Sequence, residues 1–169
     1  MKTYRINTPI KQEELQKLKA GDKVLLSGTI YTARDAAHKR MINALENHQT
    51  LPFDLENQII YYCGPSPARD GLPIGAAGPT TSTRMDTYTP TLLANGVKMV
   101  IGKGERSQGV IDSLKKNEAI YLIAIGGAGA FYANKVVSSE IIAWSDLGAE
   151  AVYKLEVKDF LCFVSDQMN

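Results

Sequence analysis

The sequence predicts an α/β fold in which helices layer against a sheet, and two observations carry that prediction. Short runs rich in Val, Ile, Leu and Tyr recur between residues 23 and 164, bounded by glycine or proline turns as strands are. Between them lie segments whose apolar residues return at helical spacing. Strands that alternate with helices bury their apolar faces in a layered α/β arrangement. At 169 residues the chain is expected to form a single domain, 1–169, a size that buries roughly 70% of the unfolded surface.

Each element follows from local pattern. Residues 11–19 read as a short surface helix, stopped by Ala20-Gly21-Asp22. Lys23–Ile30 reads as a strand entered from that turn. From Ala33 to about His48, apolar positions 37, 41 and 45 fall on one helical face. Ile59–Cys63 is β-branched and aromatic, and Val97–Ile101, Ala119–Ile125 and Glu140–Trp144 supply further strands. Helices are expected over 106–117 and 128–136. Pro90 starts another, since proline suits a first helical turn and the helix then begins near Thr89. Val152–Val157 and Phe160–Val164 read as a closing pair of strands. Tyr132 and Trp144 are expected in the core.

Composition excludes several functions. Hydrophobic residues make up 44% and charged residues 22%, ordinary for a globular protein. A net charge of +1 gives no global field for nucleic acid or membrane, so an anion site must be local. No apolar run approaches the roughly 18 residues of a membrane helix, and the N-terminus has no secretory apolar stretch. A cytoplasmic protein is expected. Two cysteines, Cys63 and Cys162, and two histidines, His38 and His48, form no disulfide framework and no metal-ligand spacing. No metal held entirely by this chain is therefore expected. Cys162 reads as a small buried hydrophobe.

Gly78-Pro-Thr-Thr-Ser-Thr-Arg-Met-Asp86 is the most informative stretch. Four of its nine residues are Thr or Ser, beside an arginine expected to be buried. Such a segment offers several hydroxyl and N–H donors to one anion, while Arg84 supplies a planar fork for a carboxylate. A Thr-rich helix cap is the alternative. The preceding 64–80 segment, with Pro65, Pro67, Pro73 and Pro79 among four glycines, is long for a plain connection and reads as a functional loop or a surface excursion.

Two further places gather cations. At the end of the first long strand, Arg34 and Asp35 open a helix; Asp35 complements the helix dipole, whereas Arg34 there calls for a nearby anion. His38 follows one turn later. Lys103 stands between Gly102 and Gly104 after a strand. Arg34, Arg84 and Lys103 together would suit a small dianion. Neither Gly102-Lys-Gly-Glu-Arg-Ser107 nor Gly126-Gly-Ala-Gly129 completes a dinucleotide or phosphate-loop motif. They remain glycine turns after strands, able to approach an anion or simply to pack tightly.

Taken in order, Ser27-Gly-Thr29, Thr32-Ala-Arg-Asp-Ala-Ala-His-Lys-Arg40, Tyr62–Pro65, Gly78-Pro-Thr-Thr81, Arg84-Met-Asp86, Gly102-Lys-Gly104 and Arg106-Ser107 resemble one known family. The chain resembles the β subunit, or C-terminal domain, of class I iron–sulfur fumarate hydratases within the fumarate/tartrate dehydratase group, over roughly residues 3–165. The resemblance implies a swivelling β/β/α domain that closes over a site shared with an α subunit. That partner would hold a [4Fe-4S] cluster by three cysteines, leaving one iron open to substrate. It implies that Arg34, Arg84 and Lys103 bind the substrate carboxylates. Thr80 and Thr81 would lie beside the reacting carbons, with Thr80 the candidate for proton transfer. Asp35 and His38 are expected to support Arg34.

The implied reaction is reversible hydration of fumarate to L-malate, a hydro-lyase step of the tricarboxylic acid cycle, active only with the α subunit. A hetero-oligomer is implied, or a homodimer when the chain is isolated. Two departures matter: Thr80-Thr-Ser-Thr-Arg84 differs from the Thr-Thr-Ala-Gly-Arg of many fumarases, and Ser82 resembles the tartrate-type subunits. Arg34-Asp-Ala-Ala-His-Lys39 resembles the fumarase form. L-Tartrate dehydration is thus the close alternative. A non-catalytic carboxylate- or phosphate-binding or assembly module is the alternative of a different class.

Overall fold

The computed structural model describes residues 1–169. Seven strands share one mixed sheet: β1 (Thr3–Asn7), β2 (Lys23–Thr32), β3 (Ile59–Tyr61), β4 (Met99–Gly102), β5 (Ile120–Ile123), β6 (Val136–Ala143) and β7 (Val152–Val164). Five helices accompany them: α1 (Gln12–Leu15), α2 (Asp35–Glu46), α3 (Thr89–Ala94), α4 (Gln108–Lys116) and α5 (Gly129–Ala133). Tight 3₁₀ turns occupy Ser82–Met85, Ser145–Glu150 and Asp166–Met168. The α/β layering expected from the alternating pattern is present. No helix is long and apolar enough to cross a membrane.

Strands β1 to β5 run parallel in order, and β7 runs antiparallel to both β5 and β2. That double pairing closes β2, β3, β4, β5 and β7 into a five-stranded barrel, with β1 and β6 flanking it. Strand alternation then divides the apolar residues between two cores. Ile59, Tyr61, Met99, Ile101, Leu122, Leu155, Phe160 and Cys162 point inward. Ile60, Tyr62, Val100 and Tyr121 point outward, under Ala37 and Met41 of α2, Leu92 and Leu93 of α3, and Val110 and Leu114 of α4. Cys162 is the buried hydrophobe it was expected to be.

Several expectations need correction. The closing pair of strands is one long strand, β7, because both halves pair with β2 across a register shift between Leu26 and Gly28. Asp159 takes a left-handed φ of 50° at that bend. Gly28, at φ 114°, faces it where a Cβ would collide with Thr8 Oγ1. The helix expected over 128–136 ends at Ala133, since Val136 already pairs with Val157 in β6. β1 was not anticipated: only Ile6 of its five residues is buried, too weak an apolar signal to read. On α2 the core face is Ala37, Met41 and Ala44, with Leu45 half-buried. Tyr132 is fully buried, whereas Trp144 is only half-buried, beneath Arg40. Helix α3 does begin at Thr89 with Pro90 in its first turn.

Phe160 is the inward anchor of β7, its ring 5.0 Å from Tyr61 and 4.7 Å from Tyr132. Emptying this fully buried position by Phe160→Ala is expected to cost about 3–5 kcal/mol. Urea unfolding checks it: the midpoint should fall with the slope unchanged.

Candidate active site

The parallel strands β2 to β5 end along one edge of the barrel, the edge at which open parallel sheets bind ligands. Their exits stay paired beyond the strands: Ala33 N–H donates to Tyr61 O at 3.0 Å, Tyr62 N–H to Ile101 O at 2.8 Å and Ala124 N–H to Gly102 O at 2.8 Å. The proline- and glycine-rich segment leaves β3 here and returns to the same edge. Tyr61 Oη donates to Ala77 O at 2.6 Å, and Ala77 N–H to Gly129 O at 3.1 Å. Thr80 N–H then donates to Tyr62 O at 2.7 Å, Thr81 bridges Lys103 in parallel register, and Ser82 N–H donates to Lys103 O at 2.9 Å. Thr80, Thr81 and Lys103 are thereby brought together between the ends of β3 and β4. The return packs against the strand ends, whereas residues 66–72 are an exposed excursion.

The hydroxyl run is not a side-chain helix cap. Thr81 precedes a single 3₁₀ turn and makes no side-chain cap bond. Thr81 and Thr83 are exposed and Thr80 half-buried, while Ser82 is fully buried. The Ser82 hydroxyl meets Tyr121 Oη at 2.8 Å, and Tyr121 Oη donates to Gly104 O at 2.7 Å. Ser82 therefore faces the outer core and not the rim.

Arg84, expected to be buried, has a side chain 50% exposed. Its guanidinium pairs with Asp35 at the first turn of α2. Asp35 is thus the companion of Arg84 rather than of Arg34. Arg34 instead lies along Gly64, where a Cβ would sit 2.8 Å from Arg34 Cδ and 3.1 Å from Nη1. Only glycine lets the guanidinium occupy that place. Its carboxylate neighbour is Glu150, Oε1 at 4.0 Å from Nε, reached from the β6–β7 connection. Lys103 has no carboxylate within ion-pair distance. Its side chain runs past Gly126, whose missing Cβ would be 3.4 Å from Lys103 Cδ.

His38 contacts Arg34 through the backbone. Its Nδ1 lies 2.8 Å from Arg34 O, and its ring is fully buried against Tyr62 and Tyr88. Burial pushes its pKa down to about 4, more than the carbonyl beside it raises it. His38 is therefore neutral near pH 7, with Nδ1–H donating to the carbonyl.

Arg106 was read only as part of a motif, yet it is the buried cation of the structure. Its Nε donates to Asp86 at 2.8 Å and its Nη2 to Thr89 Oγ1 at 2.8 Å. The guanidinium carbon stands 5.1 Å from the Tyr62 ring and 4.9 Å from the Tyr121 ring. Asp86 also accepts from Ser107 N–H at 2.8 Å. This network ties the turn bearing Arg84 to the segment that follows Lys103. A charged residue between a glycine turn and a helix cap was its only sequence signal. Glu150 had none, lying far along the chain from Arg34.

A cysteine-held cluster does not fit the residues of this chain. Cys63 and Cys162 are both buried in the inner core, and burial pushes the Cys63 thiol up to about 12 and raises that of Cys162 as well. Neither is presented at the rim as a thiolate. What the rim offers is three cations and two threonines at the ends of parallel strands.

Comparison with known proteins shows the family. The family model described as "Fumarase C-terminus" matches residues 1–168, and the chain belongs to that family. It is 38% identical over 163 residues to the aerobic class I fumarate hydratase of Escherichia coli (strain K12), covering 94% of this chain and 30% of that protein. The mitochondrial fumarate hydratase 1 of Leishmania major is 39% identical over 163 residues, again covering 94% and 30%. A protein described as a candidate L(+)-tartrate dehydratase subunit beta, from Methanocaldococcus jannaschii, is 38% identical over 154 residues, covering 88% of this chain and 79% of that one. The chain thus spans under a third of these fumarate hydratases and most of the tartrate-type subunit.

Because unfolded histidine titrates near 6.5 and folded His38 near 4, the unfolded state binds the extra proton between those values. Stability should therefore fall as pH drops from about 6.5 to 4, by at most about 1.4 kcal/mol per unit. Thermal melts across pH 4–8 check this. His38→Gln should flatten that part of the profile, and an unchanged slope would assign it to other groups.

Proposed function

We propose that this chain is the substrate-carboxylate-binding β subunit, or equivalent domain, of an iron–sulfur fumarate hydratase, catalysing the reversible hydration of fumarate to L-malate with an α-type partner. One observation carries the reading: Thr80 and Thr81 are threaded between the ends of β3 and β4 beside Lys103, with Arg34 and Arg84 at the same edge. The 30% coverage of the fumarate hydratases supports a remaining portion that holds the [4Fe-4S] cluster, since this chain supplies no ligands for it. The assembly is then a hetero-oligomer or a longer fused chain. Residence in the cytoplasm, and a role in the tricarboxylic acid cycle, belong to the same reading.

In this mechanism the chain binds, orients and stabilises charge. Arg34 and Arg84 take substrate carboxylates through paired N–H donors, and Lys103 adds a point charge without a carboxylate competitor. Loss of the proton beside a carboxylate builds an aci-carboxylate of greater negative charge. Fixed cations stabilise that state more than the ground state, so they contribute to rate as well as to binding. Thr80 is the candidate for carrying the proton in this reading. Its hydroxyl requires a basic partner or relay to do so, because its own pKa is far from neutral. Asp35 orients Arg84, and His38 anchors the carbonyl of Arg34.

L-Tartrate is the second substrate reading, and the observation favouring it is the 79% coverage of a tartrate-type β subunit. The burial of Ser82 against Tyr121 weakens it, because that residue does not reach the rim. Anaerobic co-expression with an α-type subunit, assayed on fumarate, L-malate and L-tartrate, tests both. Fumarate–malate interconversion is expected, and Arg84→Ala should lower kcat/KM by about 10²-fold or more. Turnover of tartrate alone moves the chain to the second reading. An intact cluster with no turnover of any of the three overturns both in favour of a binding or assembly module.

A further inference from the structure

The connection between β6 and β7 has no place in the functional reading so far, yet it touches the site. It is built with care: Trp144 enters in the left-handed region at φ 56°, and Gly148 takes φ 59°, ψ −121°, a backbone state that suits glycine. Ala151 N–H then donates to Gly148 O at 3.0 Å. The result lays residues 149–150 over the start of α2. Ala149 O would be 3.2 Å from a Cβ on Gly64, the same glycine that makes room for the Arg34 guanidinium. The guanidinium is therefore held between Gly64 and this connection.

Glu150 makes two interactions there. Its Oε1 is 3.4 Å from Ala36 N, which donates to it, and 4.0 Å from Arg34 Nε. Helix α2 has Arg34 at its N-cap and no side-chain cap of its own. Glu150 thus brings to that end the negative charge that a helix N-terminus favours. Arg34 Nε is buried and has no hydrogen-bond partner, so the Glu150 carboxylate is the anion placed to hold it. An arginine held on its Nε edge keeps its Nη1/Nη2 edge for a second carboxylate, and that end-on fork fixes the plane in which a substrate carboxylate is received.

We propose that Glu150 is a positioning residue: its carboxylate holds the Nε edge of Arg34 and so sets the orientation in which Arg34 receives a substrate carboxylate. The consequence for catalysis rests on the dicarboxylate reading above, whereas the hold on Nε does not. Glu150 acts through Arg34 and touches neither substrate nor reacting atoms. Its contribution is geometric, and a displacement of about 1 Å at such a group costs up to 10²-fold in rate.

Two measurements test it. Ala36 N and Arg34 Nε face the same oxygen, Glu150 Oε1, so Glu150→Gln removes the charge alone and should melt as the wild type does, whereas Glu150→Ala removes charge and acceptor together. In the 169-residue chain, the Arg34 Nε–H signal, assigned by its loss in Arg34→Lys, should exchange with solvent at least tenfold faster in Glu150→Ala and by a smaller factor in Glu150→Gln. Unchanged exchange overturns the proposal. In the co-expressed complex, Glu150→Gln should lower kcat/KM for L-malate about tenfold, mostly through KM. It should have no further effect in an Arg34→Lys background. Additive losses in the two variants overturn the positioning role even if fumarase activity is established. If the wild-type complex is inactive on every dicarboxylate, the function proposed above fails, and the exchange result alone decides whether Glu150 holds Arg34.

Discussion

A parallel run of five strands, β1 to β5, does not close on itself, and everything at the candidate site depends on how β7 joins β5 back to β2. β7 does so by pairing with β2 along nearly its whole length and with β5 at its end. A flat parallel sheet would splay the ends of β2 to β5 along a line; closure gathers them on one rim. The bend at Asp159, opposite Ser27, falls between the part of β7 that pairs with β6 and the part that pairs with β5. The inward core of Tyr61, Tyr132 and Phe160 fills the space that closure creates.

That rim is held more by backbone than by side chains. Thr80, Thr81 and Ser82 are fixed by main-chain bonds to Tyr62 and Lys103, which leaves the Thr80 and Thr81 side chains clear of that backbone scaffold. Underneath, the buried Arg106 is compensated by Asp86, Thr89 and two aromatic rings. A buried charge without such partners is costly, and with them it joins the Arg84 turn to the segment after Lys103. The arrangement separates duties: Arg106 shapes the outer core, and the cations at the rim remain near solvent.

The charges at the rim are graded rather than summed. Arg84 is paired with Asp35, Arg34 stands near Glu150, and Lys103 is without a carboxylate companion. Two of the three cations therefore have a carboxylate from another element within ion-pair distance. Under the proposed function, such pairing would limit the reorganisation needed to receive a dicarboxylate.

Much of this was legible in the chain. Apolar runs after turns located β2 to β5, helical spacing located α2, Pro90 marked the start of α3, the segment expected as helical over 106–117 contains α4, and glycine–proline punctuation marked the segment that forms the rim. The density of hydroxyls at 80–83, the arginine opening α2 and the lysine between two glycines singled out the residues that the fold brings together. These are local signals, because they depend on neighbours a few positions away. What the sequence could not express was pairing over distance. Whether Asp35 serves Arg34 or Arg84, whether Ser82 faces substrate or Tyr121, and whether residues 152–164 make one strand or two are decided by register and packing. Glu150 reaches Arg34 only because β7 closes the barrel and carries the preceding turn onto α2. Residue types and spacing thus determined which chemistry was present, and barrel closure alone decided which groups meet.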